Sequence, residues 1–144
     1  EKVDKRLRDV ELVLRILALH EYWESYSKPM KGFLNSFMAD IKRLPDDELD
    51  PKLEYFTEKF NSACNTIEGS LPAKPFHLRG RINYAAMDSI FIAIMQMDDV
   101  PGDIAERYNN LVNDDDFVRS ATLNTSDEST LHARFSRAIN VLAE

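Results

Sequence analysis

Apolar residues recur along this chain at spacings of three and four, which is the period of an α-helix. The first such stretch extends from Asp9 to Tyr26 and is apolar over a wide arc, so it predicts a helix buried over much of its surface. Ser27-Lys28-Pro29 ends this helix, and a second one is predicted from about Lys31 to Arg43. The apolar side chains of the second helix share one face: Phe33, Leu34, Phe37, Met38 and Ile41.

A third helix is predicted after an acidic turn. Pro45 is expected to end the second helix, and the acidic residues 46–48 then predict a solvated turn. Asp50 and Pro51 suit the N-cap and the first helical position, respectively. The seam that follows is narrow, and we expect it to pack antiparallel on the second helix: Leu53, Phe56, Phe60, Ala63 and Ile67.

The most apolar segment extends from Ile82 to Met97, where twelve of sixteen residues are apolar. A helix apolar on nearly every side is expected at the centre of the molecule. Two short helices follow, at Pro101 and at Asp114, and a capping-box spacing from Thr125 to Glu128 predicts the last one. No alternating pattern is long enough to predict a strand. The sequence therefore predicts an all-α bundle or array of six to seven helices, and residues 1–144 as a single domain.

Charge is unevenly distributed over the chain. The net charge is −7, with +2 over residues 1–43, −4 over 44–75, +1 over 76–97 and −6 over 98–144. Strong autonomous binding to nucleic acid is therefore disfavoured, because a polyanion could approach only the first helix or the corner at Arg79 and Arg81. The single cysteine, Cys64, excludes an internal disulfide and fits a reducing compartment, so we expect a cytoplasmic protein. The longest apolar stretch is only about 16 residues and is interrupted by polar groups, so we expect no membrane span.

Residue patterns for catalysis or metal binding are missing from the sequence. The three histidines, His20, His77 and His132, are widely separated, and neither a phosphate-binding loop nor a nucleophile elbow occurs. Cys64 fits a small buried hydrophobe better than a catalytic thiolate. We therefore expect no cofactor, no metal and no catalytic residue in this chain.

Two groups of polar residues are candidates for specific contacts. Asp88 lies inside the most apolar helix, where a carboxylate needs a partner, and the alternatives are Arg15 or the pair Arg79 and Arg81. Arg8 and Glu11 of the first helix are grouped with Arg15 and Asp88 as a structural polar network. Within it, Glu11 and Arg15 have the spacing of an ion pair on a helix.

The second group is Arg79-Gly80-Arg81, which precedes a helix start and could contact an anion or nucleic acid. A solvated or structural role for these two arginines is the alternative. The aromatic residues Tyr22, Trp23 and Tyr26 are interpreted as core or interface, with a stacking platform for bases as the other interpretation.

Several segments resemble one large bacterial family. They are Lys5 to Leu19, Phe33 to Met38, Pro75-Phe76, Ile82-Asn83 with Asp88, and Ser126 through Arg137 to Ala138. The family has a ParB-like nuclease-fold N-terminal domain and includes the GmrS half of the GmrSD modification-dependent restriction systems. Its signature stretch, Asp-Gly-Gln-Gln-Arg, is absent from this sequence.

The resemblance implies that this chain is the helical C-terminal region of such a protein. Nucleotide-dependent nuclease chemistry would then belong to the missing N-terminal domain, and no catalytic residue carries over. The expected function is a non-catalytic helical module that supports or positions that domain, with nucleic acid reached only through the parent protein. Its partners would be that domain, another protein or a second copy of the chain. The alternative is an independent helical protein–protein interaction module.

Overall fold

The computed structural model describes residues 2–144, with side chains from Arg8 onward, so Lys5, Arg6 and Leu7 of the resemblance lie outside the described side chains. These residues form seven α-helices and one two-stranded hairpin, which confirms the predicted all-α class. The elements are α1 (Lys2–Tyr22), a 3₁₀ turn (Trp23–Ser25), α2 (Met30–Lys42), α3 (Asp46–Ser70), β1 (His77–Leu78), β2 (Arg81–Ile82), α4 (Tyr84–Met95), α5 (Ile104–Val112), α6 (Asp115–Ser120) and α7 (Glu128–Ala143).

Helix α4 is the centre of the fold, as its composition predicts. Every residue from Ala86 to Met95 is buried, and α7, α1 and α3 pack around it. The helix is shorter than the predicted range 82–97, because Ile82 belongs to β2 and the Asn83 side chain caps the helix by accepting a hydrogen bond from the Ala86 amide at 2.8 Å. At the other end Gln96 is the C-cap. No helix within residues 2–144 combines the length and apolarity needed to cross a membrane.

Helix α3 begins one turn earlier than predicted. Asp46, Asp47 and Glu48 form its first turn instead of a solvated turn, and Pro51 lies inside the helix. Carboxylates are favoured near the positive end of a helix, which explains why the acidic run is helical. The prediction that Asp50 caps this helix is therefore wrong.

The packing of α3 also differs from the predicted hairpin with α2. Its main neighbour is α4, against which Phe60 stacks on Phe91 with ring centroids 5.5 Å apart. Contact with α2 is centred on Phe37 and Phe56, whose centroids are 6.0 Å apart. Because α4 is apolar on every side, it offers α3 a larger surface than the single apolar face of α2.

Helices α6 and α7 form as predicted, but only one of their two predicted capping signals is used. Asp114 caps α6 through the Phe117 amide, at 2.8 Å, and the stripe of α7 is buried: Leu131, Phe135, Ala138 and Leu142. The predicted capping box at Thr125 does not form, because α7 begins only at Glu128. The Glu128 carboxylate instead accepts a hydrogen bond from the Lys28 amide at 3.0 Å.

Candidate functional site

The buried carboxylate of α4 is paired with α1. Arg15 Nη2 lies 2.7 Å from Asp88 Oδ2, so of the two predicted alternatives the structure selects Arg15. The same guanidinium contacts the Tyr84 carbonyl at 3.5 Å. Asp88 Oδ1 is buried and has no hydrogen-bond partner within the described residues. The pair therefore fixes α1 against α4 while leaving one carboxylate oxygen unsatisfied.

A buried cation, Arg134 on α7, lies near this pair. It is only 2% exposed and donates three hydrogen bonds: Nε to Ser89 Oγ at 3.0 Å, Nη1 to the Ser120 carbonyl at 2.7 Å and Nη2 to the Thr125 carbonyl at 3.2 Å. One side chain thus joins α7 to α4, to the last residue of α6 and to the loop between α6 and α7. Sequence reasoning missed Arg134, although it lies one residue before Phe135 and one turn after Leu131 of the buried stripe.

Burial shifts the pKa values of Asp88 and Arg134. Desolvation raises the pKa of Asp88 from 3.8 to about 6, although Arg15 and Arg134 both act to lower it. Desolvation likewise lowers the pKa of Arg134 to about 10, and the charge of Asp88 opposes that shift. The cluster holds two cations and one anion, and the contacts that they form join elements of the same chain, although Arg15 Nε and Asp88 Oδ1 have no hydrogen-bond partner among the described residues.

The remaining residues of the predicted polar network do not join this cluster. Arg8 and Glu11 are exposed on α1, and within residues 8–144 neither forms an ion pair. The favourable spacing of Glu11 and Arg15 is not used, because Arg15 turns towards Asp88. The network therefore reduces to Arg15 and Asp88, with Arg134 as a nearby buried cation.

The two arginines of the predicted anion contact lie on the β-hairpin. Arg79 and Gly80 form its turn with φ of +54° and +97°, and positive φ at both central positions is typical of a type I′ turn. Arg79 and Arg81 are both exposed, and a cavity of about 320 Å³ beside Arg79 is also lined by Asp115. The Asn83 side chain already satisfies one amide at the start of α4, that of Ala86, from within the chain.

The histidines and the cysteine lie on four separate elements, α1, α3, β1 and α7. His20 Nε2 lies 3.0 Å from the Tyr55 hydroxyl, and His132 Nε2 lies 3.0 Å from the Trp23 carbonyl. Burial lowers the pKa of His20 and raises the pKa of the half-buried Cys64 thiol. Among the described residues, no group of three or more histidine, cysteine or acidic side chains is arranged to hold a metal ion.

The aromatic cluster contributes mainly to packing. The Tyr26 ring packs edge-on against Phe33, and its hydroxyl donates to the Ser126 carbonyl at 2.8 Å. Trp23 packs against Phe135, with centroids 5.6 Å apart. Tyr22 is 42% exposed beside Phe37 and lines an open cleft of about 560 Å³ between the end of α1 and α2. Two of the three predicted aromatics thus join the core, and the third lines a cleft.

A groove between α1, α2 and α3 is lined almost entirely by apolar side chains. Its volume is about 230 Å³, and Lys42 is its one charged lining residue within the described part of the chain. We define the apolar groove by these lining residues: Leu14 and Leu17 of α1, Phe37, Met38, Ile41 and Lys42 of α2, and Leu53 and Phe56 of α3.

Part of this groove is open to solvent. Leu53 is 46% exposed and Met38 is 38% exposed, and the α1 stripe continues beyond the groove to Val10, which is 65% exposed. Residues 10, 14 and 17 of a helix share one face, so the exposed surface of α1 and the groove are continuous. Large exposed apolar patches are a common feature of protein interaction sites.

No protein-family model matches the chain, and neither a curated protein nor a solved structure matches it.

Proposed function

We propose that this chain is a non-catalytic helical module of a bacterial restriction-type protein, and that it supports or positions a neighbouring ParB-like domain. The observation that carries the proposal is the apolar groove, which offers an adjoining domain a preformed surface on three helices. Contact between domains commonly uses such a surface. The groove also begins on α1, the element that would follow a preceding domain directly.

The polar residues of the resemblance support a structural role. Arg15 and Asp88 bind one another, and Asn83 caps α4 while its amide donates to the Ala121 carbonyl at 2.8 Å. These groups are directed at neighbouring helices of the same chain, which is the arrangement of a scaffold. Chemistry would then be supplied by the neighbouring domain, and this module would act through its shape and rigidity.

The coding sequence upstream of Glu1 provides the first test of this proposal. A segment encoding Asp-Gly-Gln-Gln-Arg is expected there, whereas an initiator codon directly before Glu1 would contradict the proposal and favour the independent interaction module. The groove is equally accessible to a separate protein, so that alternative uses the same surface.

Size-exclusion chromatography with light scattering then tests the groove. We expect the separately produced upstream domain and this chain to form a complex that the substitution Leu53→Asp abolishes. Leu123→Asp is the matched control, because Leu123 is 60% exposed and lies beside α6 and α7, away from the groove. A complex that survives Leu53→Asp, or that Leu123→Asp disrupts equally, would refute docking through this groove.

A further inference from the structure

The two halves of α3 are packed very differently. In its N-terminal segment, residues 46–58, Phe56 is the one buried side chain, and it lies in a small apolar cluster shared with α1 and α2. Ala63 and Ile67 of the C-terminal half lie in the main core around α4. A segment with few buried apolar side chains opens locally at a lower cost in free energy than the core does. The N-terminal segment of α3 therefore depends on its other contacts to stay in place.

Two polar contacts join this segment to α1. His20 Nε2 lies 3.0 Å from the Tyr55 hydroxyl, and Lys52 forms an ion pair with Glu21. The two contacts are neighbours, because the Lys52 ammonium also lies over the Tyr55 ring, 5.9 Å from its centroid. A change of charge on one of these side chains therefore acts on both contacts.

The surroundings of His20 disfavour a second proton on its ring. The side chain is 9% exposed, and Nδ1 is buried without a hydrogen-bond partner within the described residues. An imidazolium donates from both ring nitrogens, so protonation would bury a cation with one N–H unsatisfied. Lys52 and Lys59 of α3 oppose a positive charge here, and Glu21 of α1, which favours one, is already paired with Lys52.

The contact with Tyr55 is therefore coupled to pH. Burial lowers the pKa of His20 below its ordinary value of 6.5, Glu21 opposes this decrease, and Lys59 and Lys52 add to it. With the N-terminal segment of α3 separated from α1, the ring meets water and titrates normally. The closed arrangement thus binds the proton less readily than the open one, so its stability is complete above pH 6.5 and decreases as the pH falls below that value.

We infer that His20 is a pH-sensitive contact that holds the N-terminal segment of α3 against α1 and releases it when the imidazole is protonated. The C-terminal half of α3 stays in place, because it is packed in the main core. Histidine suits this role, since its charge changes at a pH where ordinary lysine and glutamate side chains keep theirs. Leu53 and Phe56 of the released segment line the apolar groove, so release also changes the groove, but the inference requires no occupant there.

Amide hydrogen exchange followed by NMR tests this inference. Exchange rates are compared at about pH 7.5 and about pH 5.5 after correction for the intrinsic effect of pH. We expect the protection of the amides of residues 52–58 to fall about two- to tenfold, because one titrating group changes an opening equilibrium by at most about tenfold per pH unit. The amides of residues 63–69, in the half of α3 that belongs to the main core, are the internal reference and should lose no protection.

Two variants assign the effect to His20. In His20→Gln the amide can still form a hydrogen bond with the Tyr55 hydroxyl but does not titrate, so the protection of residues 52–58 should not fall at the lower pH. The matched control is His77→Gln, because His77 is exposed on β1, and it should show the wild-type decrease. Asp88 titrates in the same pH range, but it is present in all three proteins and cancels in the comparison.

A titration of the His20 imidazole by NMR in the wild-type chain gives a second measurement, which does not require either variant to fold. We expect its midpoint below 6.5. A midpoint at or above 6.5 would overturn the inference, and so would unchanged protection of residues 52–58 in the wild type. The same decrease in His20→Gln as in the wild type would assign the release to another group and overturn it as well.

Discussion

Replacing Asp88 with asparagine should change how stability depends on pH. In the folded chain burial holds the pKa of this carboxyl at about 6, above its ordinary value of 3.8. The folded state therefore binds a proton more readily than the unfolded state does, and protonation of Asp88 stabilises the fold as the pH decreases through 6. Above pH 6 both states are ionised and this contribution is lost.

The two pKa values set the size of the effect. Near pH 5 most folded molecules carry the proton, whereas few unfolded molecules do, so linkage gives on the order of 1 kcal/mol relative to pH 8. Asparagine does not titrate in this range. The free energy of unfolding of the wild type minus that of Asp88→Asn should therefore increase by about 1 kcal/mol from about pH 8 to about pH 5.

Urea unfolding followed by circular dichroism measures this difference at fixed ionic strength. His20, Asp114 and Glu128 also have shifted pKa values, but they are present in both proteins and cancel in the difference. Asp99→Asn is the control, because Asp99 is exposed, and its difference from wild type should stay constant with pH. If the difference between wild type and Asp88→Asn stays flat or decreases from pH 8 to pH 5, burial does not raise the pKa of Asp88 more than Arg15 lowers it, and the reasoning is refuted.

Three further substitutions test the packing by urea unfolding. Arg134→Met removes three hydrogen bonds and should cost about 3 kcal/mol, whereas Arg119→Met on the surface should cost less than about 0.5. Asn83→Ala removes the cap of α4 and should cost about 1 kcal/mol, and a change near zero would show that the cap contributes nothing. Leu142→Ala deletes a fully buried side chain and should cost about 2–5 kcal/mol, and a cost below 1 would contradict its place in the core.

Hydrophobic spacing was sufficient to predict the helices because most helices pack through one apolar stripe. The stripes of α2 and α7 and the central position of α4 are confirmed. The start of α3 was predicted wrongly, because Asp50-Pro51 offers a good local signal while the acidic run at Asp46 offers another. Local signals of similar strength cannot decide between two starting points, and here the earlier one adds a whole turn.

The candidate sites were predictable only where one residue was incompatible with its surroundings. Asp88 is evident because a carboxylate inside an apolar helix requires a partner, and Arg15 is that partner. Arg134 gave no such signal, because α7 is amphipathic and a charged residue beside its apolar stripe is ordinary, and the groups that accept from Arg134 lie on α4, α6 and the loop after α6. The apolar groove was also not predicted, because it arises where Phe37 and Phe56 bring α2 and α3 together over α1.

Hydroxyl-radical footprinting of Met38 tests the central claim, which is that the apolar groove is covered by another protein element. Met38 lines the groove and is 38% exposed, and Tyr84, at the start of α4, is 36% exposed and serves as the internal reference. Addition of the upstream domain should slow the oxidation of Met38 several-fold and leave that of Tyr84 unchanged. An unchanged rate at Met38 in a complex that has demonstrably formed would contradict the account.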